Sequence, residues 1–150
     1  MHLNTRLLLS ATENLSDYMA RKRPSDRTNN IAFLTLHLIE GRHYLLRLLG
    51  EASENPFSDL VDGVERIEQV PALPPLEMMR SAWRMVTGRL VDRLEAMTTD
   101  ELTATAAAGF PIDDPTLLGG IAFLLQHESY HIGQIALLRK FFGLPAVQYA

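Results

Sequence analysis

The longest helical pattern in this 150-residue sequence covers residues 117–142 and contains two histidines four positions apart. Each residue of an α-helix turns the chain by about 100°, so His127 and His131 differ by only about 40° and point the same way. At that spacing both imidazoles can reach one metal ion. Gln134 returns to within about 20° of the direction of His127. The segment therefore predicts a long helix that carries part of a metal site.

The surroundings of this histidine pair are apolar. A face that is expected to be buried lies at or beside the pair, and its residues are Leu124, Leu125, Ile135 and Leu138. Buried imidazoles need partners for their ring nitrogens, and a metal ion provides one. The sequence contains no cysteine, which excludes disulfides, thiolate metal sites and cysteine nucleophiles. Any metal must therefore be held by nitrogen and oxygen ligands.

Length and charge are typical of one globular domain, which we assign to residues 1–150. The composition is 47% hydrophobic and 21% charged, and the net charge is −4. This balance argues against a nucleic-acid or anionic-membrane partner. The apolar run at residues 7–9 is too short for a signal peptide or a membrane span. We expect a cytoplasmic protein.

Apolar residues recur at helical spacing in four segments, and no strand pattern appears. The predicted helices cover 5–20, about 31–49, 75–97 and 117–142. Thr28, Asn29 or Asn30 is expected to cap the second helix, and Asp114 or Thr116 the fourth. A short helix is expected within 58–69, and 99–102 is expected to form a turn. The pattern predicts an all-α four-helix bundle.

The segment between the second and third helices, about 51–74, is the longest interruption and contains four proline or glycine residues that break helices. A short loop forces neighbouring helices to be antiparallel, whereas roughly twenty residues can cross the bundle. We therefore predict a long crossover, with the second and third helices running parallel.

The second helix offers two further histidines, His37 and His43. They lie six positions apart, about 120° around the helix, so both cannot face one point inside the bundle. The apolar stripe lies closer to the direction of His37, and Gly41 in that stripe leaves room beside it. The stripe consists of Ile31, Leu34, Leu38, Leu45 and Leu48. His37 is the predicted third ligand, and His43 is predicted to be a boundary or surface residue.

Residues 127–131 also match H-E-x-x-H, the metallopeptidase signature. In most such peptidases the third ligand lies downstream, but no His, Asp or Glu follows His131. No predicted strand edge could hold an extended peptide, so the peptidase interpretation is disfavoured. Glu128 stands about 100° from His127. It is predicted to be a surface residue or the hydrogen-bond partner of a ligating histidine.

Three segments carry a recognisable pattern: TLHLIE at 35–40, HESYHIGQ at 127–134 and IALLRKFFGLP at 135–145. Together they resemble the DinB-like (YfiT-like) superfamily of bacterial metal-binding four-helix bundles. The combination of H-x-x-x-H-x-G-Q with an upstream helical histidine is fairly specific. The resemblance implies that His37, His127 and His131 form a site for a divalent metal, with water in the open positions. It also implies a homodimer.

A divalent ion on three neutral imidazoles keeps its full charge and acidifies a bound water or thiol. Two reactions are compatible with this: thiol S-transfer to a small electrophile, and hydrolysis that uses a metal-bound water. S-transfer is preferred, because some members of the superfamily resemble S-transferases that use low-molecular-weight thiols. A non-enzymatic, metal-stabilised dimerisation module is the remaining alternative.

Gln134, Tyr44 and Glu40 are candidate catalytic residues, since their helical positions lie near those of the histidines. Each could instead serve only in helix packing. Zinc and nickel are the favoured ions, and iron(II) and cobalt also suit three imidazoles. The expected partner is a small-molecule substrate, with a low-molecular-weight thiol as cosubstrate in the S-transferase interpretation.

Overall fold

The computed structural model describes residues 1–149, and its regular structure is helical. The helices are α1 (His2–Thr12), α2 (Asp17–Ala20), α3 (Ile31–Leu48), α4 (Ser58–Val61), α5 (Leu76–Ala96), α6 (Thr99–Thr103) and α7 (Leu117–Phe141), with a 3₁₀ turn at Ile67–Gln69. Within the described residues there is no strand, only one isolated antiparallel bridge between Thr105 and Thr116. The predicted all-α fold with four long helices is confirmed. None of the helices in this part of the chain is long and apolar enough to cross a bilayer.

Side-chain caps begin the two helices that carry the histidines. The side chain of Asn30 accepts a hydrogen bond from the backbone N–H of Phe33 at 2.8 Å. The hydroxyl of Thr116 accepts from the backbone N–H of Gly119 at 3.1 Å. Each cap satisfies a donor that the first turn of a helix leaves free. Both residues were among the caps predicted from sequence.

The first predicted helix, 5–20, is wrong in extent because the chain leaves the helical conformation after Thr12. Glu13 is extended, and Asn14 adopts a left-handed conformation with φ of 55°. Asparagine tolerates that conformation better than most residues. Ser16 then caps a separate helix by accepting from the N–H of Met19. Local turn chemistry therefore overrides an apolar periodicity that continues through the break.

The predicted turn at 99–102 is also wrong, since these residues lie in the short helix α6. Thr98 and Glu101 form a capping box at its start, in which each side chain accepts from the backbone N–H of the other residue. Such a box satisfies two free donors at once and stabilises even one turn of helix.

Helices α3 and α5 run parallel, as the crossover prediction required. Leu36, in the first half of α3, belongs to the same buried cluster as Met79, near the start of α5. Leu49, just after α3, belongs to a second buried cluster with Leu90 in the second half of α5. The intervening segment therefore crosses the length of the bundle and covers one side of these two helices.

Candidate metal centre

The three histidines predicted as ligands lie together between α3 and α7. One ring nitrogen from each of His37, His127 and His131 lies within 4.8 Å of those of the other two. The ring centroid of His37 is 5.2 Å from that of His127 and 4.7 Å from that of His131. The centroids of His127 and His131 are 4.4 Å apart. The three rings therefore form one cluster of nitrogen donors that could hold a metal ion.

The spacing of the donor atoms of His127 and His131 fits a transition-metal ion. The Nε2 atoms of His127 and His131 are 3.0 Å apart. Two nitrogens at zinc-bond lengths of about 2.0–2.1 Å are separated by about 3.3 Å at a tetrahedral angle and by about 2.9 Å at a right angle. The observed distance lies within this interval. The donor set, three imidazoles without a thiolate, suits a divalent ion that accepts nitrogen ligands.

Gln134 determines which nitrogen of His131 carries the proton. Its Oε1 lies 2.8 Å from Nδ1 of His131. An amide oxygen only accepts, so Nδ1–H is the donor and Nε2 keeps its lone pair, facing His127. A hydrogen bond to the other ring nitrogen commonly orients a ligating histidine in this way. The sequence placed Gln134 in the direction of His127, but the structure brings it to His131.

Burial favours the neutral form of His37 and His127, and the neutral form is the one that binds a metal ion. The pKa of His37 is lowered from 6.5 to about 4, first by burial and then by the nearby His131 and His127, whereas Glu40 opposes the change. The pKa of His127 is also below its ordinary value, first because of burial and then because of His131. Neutral imidazoles can bind a cation without first releasing a proton.

Two phenylalanine rings pack beside His127. Phe123 lies on α7, and Phe110 lies in the segment that precedes α7. The ring of Phe123 stacks on His127, with centroids 6.4 Å apart and planes at 21°. The ring of Phe110 lies 5.6 Å from that of Phe123 and over Gly120, where a Cβ atom would come within 2.5 Å of it. Sequence reasoning missed this support, and the adjacent glycines 119 and 120 are the signal of close approach that could have suggested it.

Glu128 is buried, and both predicted positions for it are wrong. Its Oε1 lies 2.7 Å from Nε of Arg42, and its Oε2 lies 3.1 Å from Nη2 of the same guanidinium. Asn4 donates to Oε2 at 3.2 Å. The carboxylate is therefore engaged by α3 and α1, and it does not take the position of a general base in an H-E-x-x-H site.

Arg42 connects all four long helices. Its side chain is fully buried, and the guanidinium lies 3.3 Å above the ring of Trp83 on α5. It donates to Thr5 Oγ1 at 3.0 Å and also to Thr87 Oγ1. These bonds and the bidentate contact to Glu128 compensate the charge of the guanidinium, which would be costly to bury without partners. They also fix the rotation of α7 relative to α3.

His43 is buried, so its predicted boundary or surface position is wrong. Only 5% of the residue is exposed, because the segment after α3 covers it. Its Nδ1 lies 2.7 Å from the hydroxyl oxygen of Ser53. Within residues 1–149 its Nε2 has no hydrogen-bond partner. His43 does not belong to the histidine cluster.

The other two candidate catalytic residues lie on α3. Glu40 is hydrogen-bonded through both oxygens, to Arg47 at 2.5 Å and to Asn55 at 2.7 Å. Tyr44 is 38% exposed. The structure thus places Gln134 at the cluster, engages Glu40 elsewhere on α3 and leaves Tyr44 partly at the surface.

A small cavity of about 180 Å³ opens beside the cluster on the side of His37. Glu40 is its other polar lining residue. The remaining lining is apolar and consists of Phe33, Leu36, Val61 and Val64. His37 therefore borders a space that a small, mainly apolar molecule could enter.

The fold and the site together define a class of protein. It is a helical bundle in which α3 and α5 run parallel and three histidines meet between α3 and α7. The family model of the DinB superfamily matches residues 1–135. The chain therefore belongs to the DinB superfamily.

A solved structure is consistent with this assignment. The crystal structure of a DinB-like protein from Bacillus cereus ATCC 10987 is similar, with a TM-score of 0.75 and 17% sequence identity. The match covers 98% of this chain and 91% of that chain. At this identity the similarity concerns the fold alone. No curated protein sequence matches the chain significantly.

Proposed function

We propose that the protein binds a divalent metal ion through His37, His127 and His131. The observation that carries this proposal is the approach of one nitrogen from each ring to within 4.8 Å of the others. The hydrogen bond from His131 to Gln134 supports it, because it leaves Nε2 unprotonated. Zinc and nickel are the favoured ions, since both bind imidazole well.

The proposed reaction is transfer of a low-molecular-weight thiol to a small electrophile. A bound divalent ion supplies Lewis acidity, which lowers the pKa of a thiol beside it. The chain has no cysteine, so the thiol is a separate molecule. The cavity beside His37 supports this proposal, because Phe33 and Val61 line a space suited to the apolar part of an electrophile.

Elemental analysis of the purified protein, followed by assays with a panel of thiols and electrophiles, tests the proposal. We expect stoichiometric metal and thiol-dependent turnover that a chelator abolishes. His127→Ala should lose both, whereas His2→Ala, at an exposed position in the first turn of α1, should retain both. Turnover that needs the metal but no thiol would instead support the hydrolase. Turnover that survives chelation contradicts both.

A non-enzymatic role as a metal-stabilised dimerisation module is the second candidate, and one observation favours it. Tyr130, Leu137 and Phe141 are 63%, 68% and 66% exposed along α7. Large exposed apolar side chains on one helix face are typical of a protein interface. The proposed partner is a second copy of the chain. Sedimentation analysis should show a dimer that Leu137→Glu weakens; a monomer at all concentrations contradicts this candidate.

A further inference from the structure

A larger cavity lies between α3, α5 and the segment 53–62, and we refer to it as the polar groove. Its volume is about 740 Å³, within the range of small-molecule sites. None of the three clustered histidines lines it, but Glu40 lines both the polar groove and the small cavity beside His37. The polar groove is therefore adjacent to the histidine cluster and distinct from it.

The polar groove is lined by buried polar side chains that hold one another in place. His43, Ser53 and Asn55 are only 5%, 7% and 4% exposed. Arg89 donates to Ser53 Oγ at 3.4 Å, and Arg47 donates to the carbonyl oxygen of Ser53 at 3.3 Å. Because the Ser53 hydroxyl accepts from Arg89, its own proton is free to bond Nδ1 of His43. Fixed polar groups around a cavity are typical of a binding site.

One end of the polar groove is marked by Arg89. This residue follows Ala82, which also lines the polar groove, by seven positions, or about 10 Å along α5. The guanidinium donates to the carbonyl oxygen of Ala52 at 2.6 Å, and its acidic neighbour Glu51 is 3.8 Å away. The side chain is 45% exposed, so it retains donors and charge for a ligand.

The opposite end is marked by Asp62. Its neighbours Val61 and Val64 line the small cavity beside His37, so Asp62 lies toward the histidine cluster. Asp62 is exposed. Among the described residues it takes part in no ion pair. Ala82 and Arg89 both line the polar groove, so it extends for at least about 10 Å along α5. Its lining includes the partly exposed guanidinium of Arg89, the carboxylate of Glu54 and the carboxylate of Asp62, which has no ion pair among the described residues.

We propose that the polar groove binds a short zwitterionic peptide of two or three residues. Its carboxylate would contact Arg89 and Ser53, and its ammonium group would contact Asp62. An extended chain advances by about 3.3–3.6 Å per residue, so two or three residues separate the charges by about 7–10 Å. Ala82, Met85 and Val86 supply an apolar wall for the body of the peptide. This binding needs neither the proposed metal nor the proposed reaction.

Calorimetric titration with trialanine tests the proposal. Trialanine should bind, whereas N-acetyl-trialanine and trialanine amide, which each lack one terminal charge, should bind at least about tenfold more weakly. Free alanine, whose two charges share one carbon, should also bind more weakly than trialanine. Absence of trialanine binding, or binding of either blocked peptide as tight as that of trialanine, overturns the proposal.

Matched variants locate the site. Arg89→Gln and Asp62→Asn should each weaken trialanine binding about tenfold or more. Arg84→Gln and Asp92→Asn make the same charge changes on α5 at positions outside the polar groove, and they should bind as the unaltered protein does. Circular dichroism verifies that each variant is folded. Unchanged binding in both Arg89→Gln and Asp62→Asn contradicts the proposal.

His127→Ala separates this site from the metal centre. The variant should bind trialanine with unchanged affinity while losing metal, because His127 does not line the polar groove. Loss of both would show that the peptide binds through the metal centre, which overturns the proposal. Retained metal with retained peptide binding would contradict the proposed metal centre and leave the polar groove supported.

Discussion

Helices α3 and α7 build two polar clusters that differ in how completely their hydrogen-bonding capacity is used. In the first, Arg42 and Glu128 are buried and bind each other through two contacts. In the second, His37, His127 and His131 are only partly buried and present ring nitrogens to one another. The consecutive residues His127 and Glu128 therefore contribute to different clusters.

The difference shows which cluster is structural and which is suited to a ligand. A guanidinium and a carboxylate complement each other, so the Arg42–Glu128 cluster needs nothing more. Three neutral imidazoles carry no opposite charges, and Nε2 of His131 faces Nε2 of His127 at 3.0 Å as a hydrogen-bond acceptor. With Nδ1 of His131 bonded to Gln134, the facing Nε2 atoms of His131 and His127 are the nitrogens that a shared cation could contact.

The largest expected change in stability comes from breaking the Arg42–Glu128 cluster. Glu128→Ala leaves the guanidinium of Arg42 buried without a counter-charge, which should lower the free energy of unfolding by about 3–5 kcal/mol. Urea denaturation of the metal-free protein measures this change. The double variant Arg42→Met/Glu128→Leu should recover most of the loss, because apolar side chains of similar size need no partner. A double variant less stable than Glu128→Ala would contradict this account.

Removal of a histidine should have its effect through the metal. At free zinc a thousandfold above the dissociation constant, binding adds about 4 kcal/mol to the free energy of unfolding. His127→Ala and His131→Ala should abolish this increment, with His37→Ala close behind. Denaturation with and without zinc measures it, and His2→Ala is the control that should keep it. Retained zinc stabilisation in all three variants would rule out the proposed site.

Acid should destabilise the metal-free protein through His37. Its pKa is lowered from 6.5 to about 4 in the folded state, so between these values the unfolded chain binds more protons. Stability therefore decreases as pH falls from 6.5 and this loss is complete below about 4, with a total on the order of 2–3 kcal/mol. His37→Asn should reduce the slope over that interval. An equal slope in both proteins would show that His37 is not responsible.

The smallest effect is expected from Gln134. Gln134→Ala removes the hydrogen bond that fixes the tautomer of His131, which should weaken zinc binding by about tenfold, or 1.4 kcal/mol. Gln126→Ala, at an exposed position of α7, is the matched control and should bind zinc normally. Competition with a chromogenic chelator measures both affinities. Equal affinities would reduce Gln134 to a packing residue.

Much of the fold could be predicted because its determinants are local. The apolar spacing and the caps at Asn30 and Thr116 gave the two histidine-bearing helices nearly to their ends. The length of the segment after α3 gave the parallel arrangement of α3 and α5. Helical phase, the position of Gly41 and the resemblance to the superfamily together selected the three histidines that the structure brings together.

The errors at the candidate site have a common physical cause: they depend on long-range contacts that spacing does not reveal. Glu128 pairs with Arg42, 86 positions earlier, and His43 is covered by a segment that contains Ser53. The support of His127 by Phe110 requires the segment before α7 to fold back on that helix. Helical phase gives the direction of a side chain, but not the partner that it meets.

The position of Glu128 immediately after His127 bears on how quickly a metal ion would enter and leave the proposed site. Helix α7 cannot rotate or shift by one residue without separating Glu128 from Arg42, so the imidazoles stay in place when no ion is bound. A preformed site of this kind avoids a slow ordering step before capture. Metal exchange should therefore follow the dissociation rate of the ion and be independent of chain refolding.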